Sequence, residues 1–285
     1  PSFTVKQRGD VVDHANTSYG PDRWRVSGVG EVGGTKADSS TEVDPTTGTN
    51  KLLVKPEGTT SDNANIYQFI ETINLQGLYS KEMTFSFGYS DTGGSGIPKV
   101  WIGSIDSSNN MKPLYSAVPT ALGNNRWACT ATLSIDGTIP DPSERGMQVT
   151  IYANSDNDGN VGNAPSKWSV WETKLEVGSV VTPFIARPFG EELALCQRYY
   201  TADNIGGFSW APQSTFANQA SAKLLLSLKV QLRASPTIEV QFTNKDSCVD
   251  RGFIANERWV EALYQSSYSG QYCSGYWKYK LDAEL

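Results

Sequence analysis

The sequence predicts an all-β protein, made of an antiparallel jelly-roll β-sandwich, a short linking helix and a second, smaller β-sandwich-like domain. Apolar and polar residues alternate in many short runs, and turns rich in glycine and asparagine separate those runs. The 285 residues are enough to bury one large core or two medium ones. Helical spacing of apolar residues is found in one short segment near residue 190. We therefore predict a first domain at residues 1–187, a helix at 188–202 and a distal domain at 203–285.

An alternation of large apolar and small polar side chains defines the strands of the first domain. Residues 83–89, M-T-F-S-F-G-Y, predict a strand with one buried apolar face and one small polar face. Further strands are predicted at residues 99–104, 126–135, 147–153 and 168–177. Turns such as Asp136-Gly137 separate them and no helical pattern intervenes, which favours an antiparallel jelly roll. We interpret Trp101 and Trp127, which lie in two of these strands, as core residues.

The segment from Pro188 to Tyr200 is predicted to be a helix. Proline is favoured in the first turn, and two glutamates follow it where the helix dipole favours negative charge. Leu193, Cys196 and Tyr200 then recur at helical spacing. A helix this short is marginal alone, so we expect it to be held by packing as a junction between the two domains.

The distal domain begins with an amphipathic strand. Leucine and valine at alternate positions from Leu224 to Leu232 form one apolar face. The sequence R-A-S-P at 233–236 ends that strand, and further strands are predicted at 237–243 and 276–285. A domain of this size has a small core, so we expect it to need the first domain or a neighbouring subunit for stability.

Composition disfavours several classes of partner. The chain has a formal net charge of −6 and no basic stripe, which disfavours nucleic acid and anionic membranes. No run of about 18 apolar residues is present, so no membrane insertion is predicted. The first residues lack an apolar leader and an initiator methionine, so we expect a fragment or a processed form. With 8 Trp and 13 Tyr, we expect some rings to face solvent or a ligand.

The four cysteines show no metal-binding spacing. Cys129 lies in a strand pattern and Cys196 on the apolar helix face, so both are predicted to be small buried side chains. Cys248 and Cys273 are the pair that could form a disulfide, and the sequence leaves open whether they do.

Short motifs spread along most of the chain resemble one group of proteins. They are K-Q-R-G at 6–9, Y-G-P-D-R-W at 19–24, N-I-Y-Q-F-I-E-T-I at 65–73, K-L-E-V-G at 174–178, T-P-F-I-A-R-P-F-G-E-E-L-A-L-C-Q-R-Y-Y at 182–200, L-R-A-S-P-T at 232–237 and L-D-A-E-L at 281–285. Together they are similar to tail fibre and receptor-binding proteins of tailed bacteriophages, which carry a carbohydrate-binding-module-like jelly roll and a distal β-domain. Segments 204–223 and 243–277 carry no such motif, and we expect specificity to vary there.

The resemblance implies a virion surface protein of a tail fibre or spike, which is assembled in the host cytoplasm and binds host-cell surface glycan for adsorption. It also implies a homotrimer in contact with other virion proteins. Capsid decoration or a head-fibre role uses the same sandwich for protein contacts and stays open, because fold does not fix function.

A polysaccharide depolymerase is the second alternative. The single histidine, His14, has no Ser or Cys motif nearby, which leaves a His-based triad weakly supported. Two suitably spaced carboxylates suffice for a glycosidase, so the sequence does not exclude one. The long repeats common in depolymerising spikes are absent from the sequence, and we therefore predict a non-catalytic protein.

The candidate ligand-binding residues lie in the distal domain. Sugar recognition needs an aromatic face against the sugar ring and planar polar groups for its hydroxyls. The segment 251–279 is richest in both, and a further tryptophan lies in a turn-rich loop. The predicted ligand contacts are Trp210, Asn256, Arg258, Trp259, Tyr264, Tyr268 and Tyr272. The alternative is that half of these rings fill the distal core, which spacing does not decide.

One loop has part of a calcium-binding pattern. Asn154, Asp156 and Asp158 place oxygen donors at alternating positions before Gly159. Position twelve is Pro165 instead of a bidentate glutamate, so an EF-hand is excluded. A looser structural calcium site and a plain solvated hairpin loop both remain open.

Overall fold

The structure is a computed structural model and describes residues 18–19, 23–29, 36–57, 63–75, 78, 81–93, 97–105, 111–132, 146–153, 166–210, 221–246, 248–266 and 273–283. Within these residues the chain forms eighteen β-strands and two short helices, and every strand pairing is antiparallel. The predicted all-β fold class is therefore confirmed. The chain divides into two compact units, Pro1–Glu192 and Leu193–Leu285.

The first unit is a sandwich of two six-stranded sheets. Its strands are β1 (Ser18–Tyr19), β2 (Arg25–Val29), β3 (Lys36–Val43), β4 (Asn50–Glu57), β5 (Asn63–Ile70), β6 (Glu82–Thr92), β7 (Lys99–Ile105), β8 (Met111–Ala117), β9 (Thr120–Gly123), β10 (Arg126–Thr132), β11 (Gly146–Tyr152) and β12 (Lys167–Val177). The front sheet has the order β1-β2-β5-β11-β7-β8, and the back sheet the order β3-β4-β12-β6-β10-β9. A one-turn helix, α1 (Thr72–Leu75), follows β5.

The core of the first unit lies between the two sheets. Ile66 and Val149 contribute from the front sheet and Leu52 and Phe87 from the back sheet, and none of the four is more than 2% exposed. Successive residues of a strand point to opposite faces, so one residue in two enters this core and its neighbours face outward. This alternation fixes which side chains each sheet presents to solvent.

Strand β6 differs from its prediction on one face. Its apolar side chains face the core as expected. The small polar face is buried as well, with Thr84 and Ser86 at most 1% exposed. On this face Thr84 donates from Oγ1 to the carbonyl oxygen of Gly178. Further along, Trp171 of β12 packs against Gly88 so closely that a Cβ atom there would lie 2.1 Å from the indole Cε2. Gly88 therefore makes room for an aromatic ring on the outside of the sandwich.

Strand β12 contains a β-bulge opposite β6. Trp171 pairs with Gly88 and Lys174 with Ser86, so β12 has one residue more than its partner over this stretch. Glu172, inside the bulge, has a φ of 48°, and its Oε2 accepts a hydrogen bond from Nη1 of Arg126 at 2.8 Å. The bulge allows Trp171 and Lys174 both to face outward.

The turn between β3 and β4 is organised by Asp44. Its Oδ1 accepts hydrogen bonds from the backbone N–H groups of Thr46 and Thr47 at 2.8 and 3.1 Å. Its Oδ2 lies 2.7 Å from Nζ of Lys51. The hydrogen bond from Lys51, together with those from the turn, lowers the pKa of Asp44 from 3.8 to about 2.

We expect the substitution Asp44→Asn to lower the melting temperature at neutral pH and to lose its effect in acid. Asparagine still accepts from the turn N–H groups, but it gives up the ion pair with Lys51. A carboxylate whose pKa is depressed by folding stabilises the protein above its unfolded pKa and loses that contribution as the pH falls through the folded value. The difference in melting temperature between the Asp44→Asn variant and the unaltered protein should shrink as the pH falls from 3.8 towards about 2. Melting curves followed by circular dichroism check this, and a constant difference down to the lower pH would contradict it.

Helix α2 (Phe189–Gln197) is shorter than the predicted segment 188–202. It begins as expected, because the N–H groups of Glu191 and Glu192 donate to the carbonyl oxygen of Pro188 at 3.0 and 3.2 Å. It ends early because Tyr200 already belongs to the next strand, where it pairs with Asp282. Neither helix in the described residues is long and apolar enough to cross a membrane.

The second unit is built of two three-stranded sheets. Its strands are β13 (Tyr200–Trp210), β14 (Ser221–Ser227), β15 (Thr237–Asp246), β16 (Cys248–Ala255), β17 (Trp259–Ser266) and β18 (Cys273–Asp282). The sheets have the orders β13-β18-β15 and β14-β17-β16. Their described core is small, and its buried members are Leu232, Val260, Tyr279, Leu281 and Ala283.

The predicted strand from Leu224 to Leu232 ends early, at Ser227. Ser227 pairs with Trp259, the first residue of β17, so no strand partner remains beyond it. The next residues bond to the turn instead: the N–H of Leu228 donates to the carbonyl oxygen of Arg258, and that of Leu232 to the carbonyl oxygen of Glu257, both at 2.8 Å.

The cysteine predictions are confirmed where the structure describes the side chains. Cys129 and Cys196 are not in a disulfide and are at most 5% exposed. Burial raises the pKa of Cys129 to about 12, so this thiol is unreactive at neutral pH. The side chains of Cys248 and Cys273 lie outside the described part of the chain, and their pairing stays open.

Candidate binding groove

The outward face of the front sheet is set by the side chains that enter the core. Ile66 of β5, Val149 and Ile151 of β11, and Val100 and Ile102 of β7 are all at most 2% exposed and belong to the core between the sheets. The residues between them therefore face away from the core. The register places these outward residues side by side across four neighbouring strands.

The outward residues combine aromatic rings with amides and hydroxyls. We call this surface the front groove, and its members are Arg25 of β2, Asn65, Tyr67 and Phe69 of β5, Gln148, Thr150 and Tyr152 of β11, and Lys99, Trp101 and Gly103 of β7. The polar side chains in its middle lie deep: Asn65, Gln148 and Thr150 are 6, 6 and 1% exposed. The rings beside them are half-buried. The surface is therefore a trough with a polar floor and aromatic walls.

One row across the sheet shows how the trough is shaped. Thr150 pairs with Tyr67 on one side and with Trp101 on the other. The backbones of Tyr67 and Trp101 are thus about 10 Å apart, which is two inter-strand spacings. Thr150 between them is 1% exposed, so the two half-buried rings are the accessible part of this row.

The wall on β5 is held in place by ring contacts. Tyr67 and Phe69 meet edge to face, with centroids 5.6 Å apart and an interplanar angle of 82°. The guanidinium of Arg25 lies 5.9 Å from the centroid of Tyr67 and 5.6 Å from that of Phe69. Edge-to-face and cation–π contacts of this kind restrain ring orientation. The wall is therefore ordered before any ligand arrives, which lowers the entropy cost of binding.

The polar groups of the floor make few side-chain hydrogen bonds within the described residues. Gln148 donates from Nε2 to Oγ1 of Thr150 at 2.7 Å, which orients its amide. Within the described residues, the amide of Asn65 and the indole of Trp101 make no hydrogen bond. Burial raises the pKa of Tyr152, so its hydroxyl stays protonated at neutral pH and can both donate and accept.

The outer face of the back sheet offers a contrast. It too carries a half-buried tryptophan, Trp171, but the ammonium of Lys51 lies 4.5 Å from the ring centroid. Two further pairs lie on this face: Ser169 Oγ donates to Glu42 Oε1 at 3.0 Å, and Arg126 pairs with Glu172. The buried Oγ of Ser86 has no hydrogen-bond partner among the described residues. The cations Lys51 and Arg126 of this face are thus engaged by its own side chains.

The prediction that Trp101 is a core residue is wrong, because the core side of β7 is occupied by Val100 and Ile102. Trp127 packs against the core, so its prediction is confirmed. Trp101 shares its side of the strand with Lys99, and an aromatic residue in phase with a charged one was the available sign that it faces outward.

The predicted ligand residues of the distal domain are only partly described. Asn256, Arg258 and Trp259 lie together in the turn before β17, where Oδ1 of Asn256 accepts from the N–H groups of Arg258 and Trp259 at 2.8 and 3.0 Å. Trp259 is half-buried and Arg258 exposed. Trp210 ends β13 and Tyr264 lies in β17, but their side chains are outside the description.

Other predicted residues fall in segments that the structure does not describe. These are Tyr268 and Tyr272 of the ligand set and Asn154, Asp156 and Asp158 of the calcium loop. Among the described residues, no group of three His, Cys, Asp or Glu side chains is placed to hold a metal ion.

No family model and no curated protein matches the chain. It is similar to the enzymatically active domain of tailspike protein 4 of bacteriophage CBA120, at 12% identity and a TM-score of 0.35 over 54% of this chain and 19% of that one. It is also similar to the C-terminal family 22 carbohydrate-binding module of Clostridium thermocellum Xyn10B, at 14% identity and a TM-score of 0.36 over 56% of this chain and 89% of that one.

A third similarity is to the family 11 carbohydrate-binding module from Clostridium thermocellum in complex with a mixed-linked tetrasaccharide, at 17% identity and a TM-score of 0.33 over 56% of this chain and 91% of that one. The chain spans about a fifth of the tailspike domain, with 19% covered, and 30% of a two-module xylanase from the same bacterium.

Proposed function

We propose that the front groove binds a glycan of a host-cell surface, and that the chain is a non-catalytic virion surface protein of the tail fibre or spike type. One observation carries the glycan part. Half-buried rings, those of Tyr67 and Trp101 among them, lie on one sheet face beside polar side chains. Within the described residues the amide of Asn65 and the indole of Trp101 make no hydrogen bond.

The chemistry of sugars fits such a surface. One side of a pyranose ring is apolar and packs on an aromatic face, while its rim of hydroxyls needs donors and acceptors. Tyr67 and Trp101 supply faces on opposite walls, and Asn65 and Tyr152 supply polar groups at the next row along the strands. A ligand in the trough would therefore have both requirements met without rearrangement of the sheet.

The virion part of the proposal is supported by the motifs that resemble phage fibre proteins, including the junction at 182–200. In this proposal the chain lies on the virion surface, in contact with other virion proteins, after assembly in the host cytoplasm. We expect the labelled protein to bind the surface of intact bacterial host cells. Absence of binding to every host strain tested would overturn this role.

A homotrimer is part of the proposal, supported by two exposed apolar side chains that flank Glu261 on the second unit. Leu225 and Ile254 both pair with Glu261 and are 59 and 51% exposed. Exposed apolar side chains in one row favour a protein contact. Light scattering should give the mass of three chains, and a monomer at all concentrations would contradict the trimer.

Structural calcium also remains a proposal, supported by the spacing of Asn154, Asp156 and Asp158. Calcium that binds only the folded chain would raise the melting temperature, and a chelator would reverse the rise. A melting temperature that is the same with calcium and with chelator would exclude the site.

The glycan proposal is tested by two matched tryptophan substitutions. Trp101→Ala removes a wall of the front groove, and Trp171→Ala removes a half-buried ring from the outer face of the other sheet. Loss of an aromatic contact at the centre of a site is expected to weaken binding by about 2 kcal/mol, or roughly 30-fold. We expect this loss for Trp101→Ala on a glycan array and by calorimetry, and unchanged binding for Trp171→Ala.

A third variant, Trp259→Ala, tests the distal candidate set. If Trp259→Ala loses binding and Trp101→Ala keeps it, the binding site lies in the second unit and the front groove is excluded. A reducing-end assay on any polysaccharide that binds tests the non-catalytic part, because release of new ends would show hydrolysis.

A further inference from the structure

We propose that the segment between β12 and α2 pairs with the edge strand β9 of a neighbouring copy of this chain. We call this segment, residues 178–188, the strap. The contact rests on the homotrimer of the proposed function and deepens it by naming where the subunits meet. Two surfaces of the first unit carry it, and both combine exposed apolar side chains with backbone groups that the described residues leave unpaired.

The strap is a straight and exposed stretch of chain. From Val181 to Pro188 the backbone has neither turn nor bend. Pro183 and Pro188 each hold their φ at about −65° and disfavour helical geometry in the residue before them, which keeps the chain extended. Val180 is 71% exposed and Ile185 is 84% exposed. Large apolar side chains exposed along one segment favour a protein contact.

Hydrogen bonds fix the strap near its start and near its end. The N–H of Thr182 donates to Oε1 of Glu176 at 2.9 Å, and its hydroxyl donates to Oε2 at 2.6 Å. Further along, Nη1 of Arg187 donates to Oε2 of Glu192 at 3.0 Å, and this glutamate is 2% exposed. The strap is therefore preorganised, which lowers the entropy cost of a contact.

Four residues between the two prolines, 184–187, have backbone groups available for pairing. Within the described residues their N–H and carbonyl groups form no hydrogen bond. Proline has no N–H to donate, so Pro183 and Pro188 limit the length of any pairing to these four. An extended segment of this kind adds as a strand to the open edge of a sheet.

Strand β9 is an open edge of the same length. Its four residues, Thr120–Gly123, end the back sheet and pair on one side with β10. All four are exposed, with Leu122 at 49%, whereas β3 at the other end of the sheet is mostly half-buried. In the described part of the chain, the side of β9 away from β10 forms no backbone hydrogen bond. An uncovered edge is a template for pairing with another chain.

A second copy of this chain is the partner that fits both surfaces. Every copy carries one strap and one β9 edge, so each copy can give one such contact and receive another. A head-to-tail contact between two different patches forms a closed ring when the rotation between the copies allows it. Three copies joined in this way make the proposed homotrimer.

Charge substitutions test the contact by light scattering over a range of protein concentrations. Ile185→Lys and Leu122→Glu each place a charge in an apolar contact, and each should raise the concentration for half-maximal trimer formation by about 30-fold. Both changes in one chain should restore most of the loss, because the two charges are then opposite. The matched control is Val43→Glu, a side chain of β3 that is 62% exposed, and it should leave trimer formation unchanged.

Amide hydrogen exchange measures the backbone pairing itself. The amides of β9 should exchange more slowly in the trimer than in the dissociated Ile185→Lys variant, whose β9 sequence is unaltered. The amides of residues 184–187 should likewise be slower in the trimer than in the dissociated Leu122→Glu variant.

The outcomes separate this contact from the homotrimer on which it rests. If the protein is a trimer and both single variants remain trimeric, the trimer stands and the strap contact is wrong. The same holds if Val43→Glu dissociates the trimer as strongly as Leu122→Glu, because added charge is then the cause. If the unaltered protein is a monomer at all concentrations, the trimer and the contact both fall.

Discussion

The double substitution Tyr67→Ala with Trp101→Ala is expected to abolish glycan binding while the chain stays folded. The two rings form opposite walls of the front groove, one on each side of Thr150. If each stacks on the ligand and contributes about 2 kcal/mol, their joint loss lowers affinity by about 1,000-fold. Calorimetric titration of the double variant and both single variants measures this.

Folding of the double variant is checked separately from binding. Both rings face away from the core, so their removal leaves the buried side chains between the sheets in place. We expect a small change in melting temperature, since surface substitutions rarely shift stability by much. Affinity within threefold of the unaltered protein, in a variant with a normal melting curve, would exclude the front groove as the glycan site.

Gly88→Ala, which adds one methyl group, is expected to lower the stability of the first unit strongly. A Cβ atom at this position would lie 2.1 to 2.5 Å from three atoms of the Trp171 indole, well inside van der Waals contact. Overpacking of this kind costs about 3 kcal/mol and forces the ring or the strand to move. For a unit of this size that corresponds to a fall in melting temperature of roughly 6 to 12 °C.

Two controls make the Gly88 prediction specific. Trp171→Ala in the same chain removes the clash, so the double variant should be more stable than Gly88→Ala alone. Gly190→Ala adds the same methyl group in α2, where nothing lies within 4 Å of the new Cβ, and should be neutral or slightly stabilising. If the effects of Gly88→Ala and Trp171→Ala simply add, the contact between ring and glycine is not the cause.

Periodicity predicted the fold class, because the same alternation that indicates a strand also decides which face is buried. The pattern of residues 83–89 was enough to place β6 and its core side. The covering of Gly88 on its other face was not predictable, since Trp171 stands 83 positions further along the chain and reaches Gly88 only after β12 and β6 pair.

The front groove shows the same limit more strongly. In β5 the sequence N-I-Y-Q-F-I has bulky apolar residues in both phases, so alternation alone does not say whether Tyr67 or Ile66 enters the core. Only the pairing of β5 and β7 with β11 brings Tyr67 and Trp101 to the two sides of Thr150. The distal candidate set rested on local density of aromatics, and for Tyr264, Tyr268 and Tyr272 it stays a prediction.

The bulge in β12 has a consequence for how the chain tolerates changes in length. Trp168 and Val170 enter the core before it and Leu175 packs against the core after it, so the apolar positions change from even to odd numbers at Glu172. Deleting one residue from a regular strand inverts every following side chain. Deleting Glu172 would instead restore a regular ladder and keep both halves in phase. Evolution can therefore shorten this central strand by one residue, giving up the ion pair with Arg126 while the sandwich keeps its core.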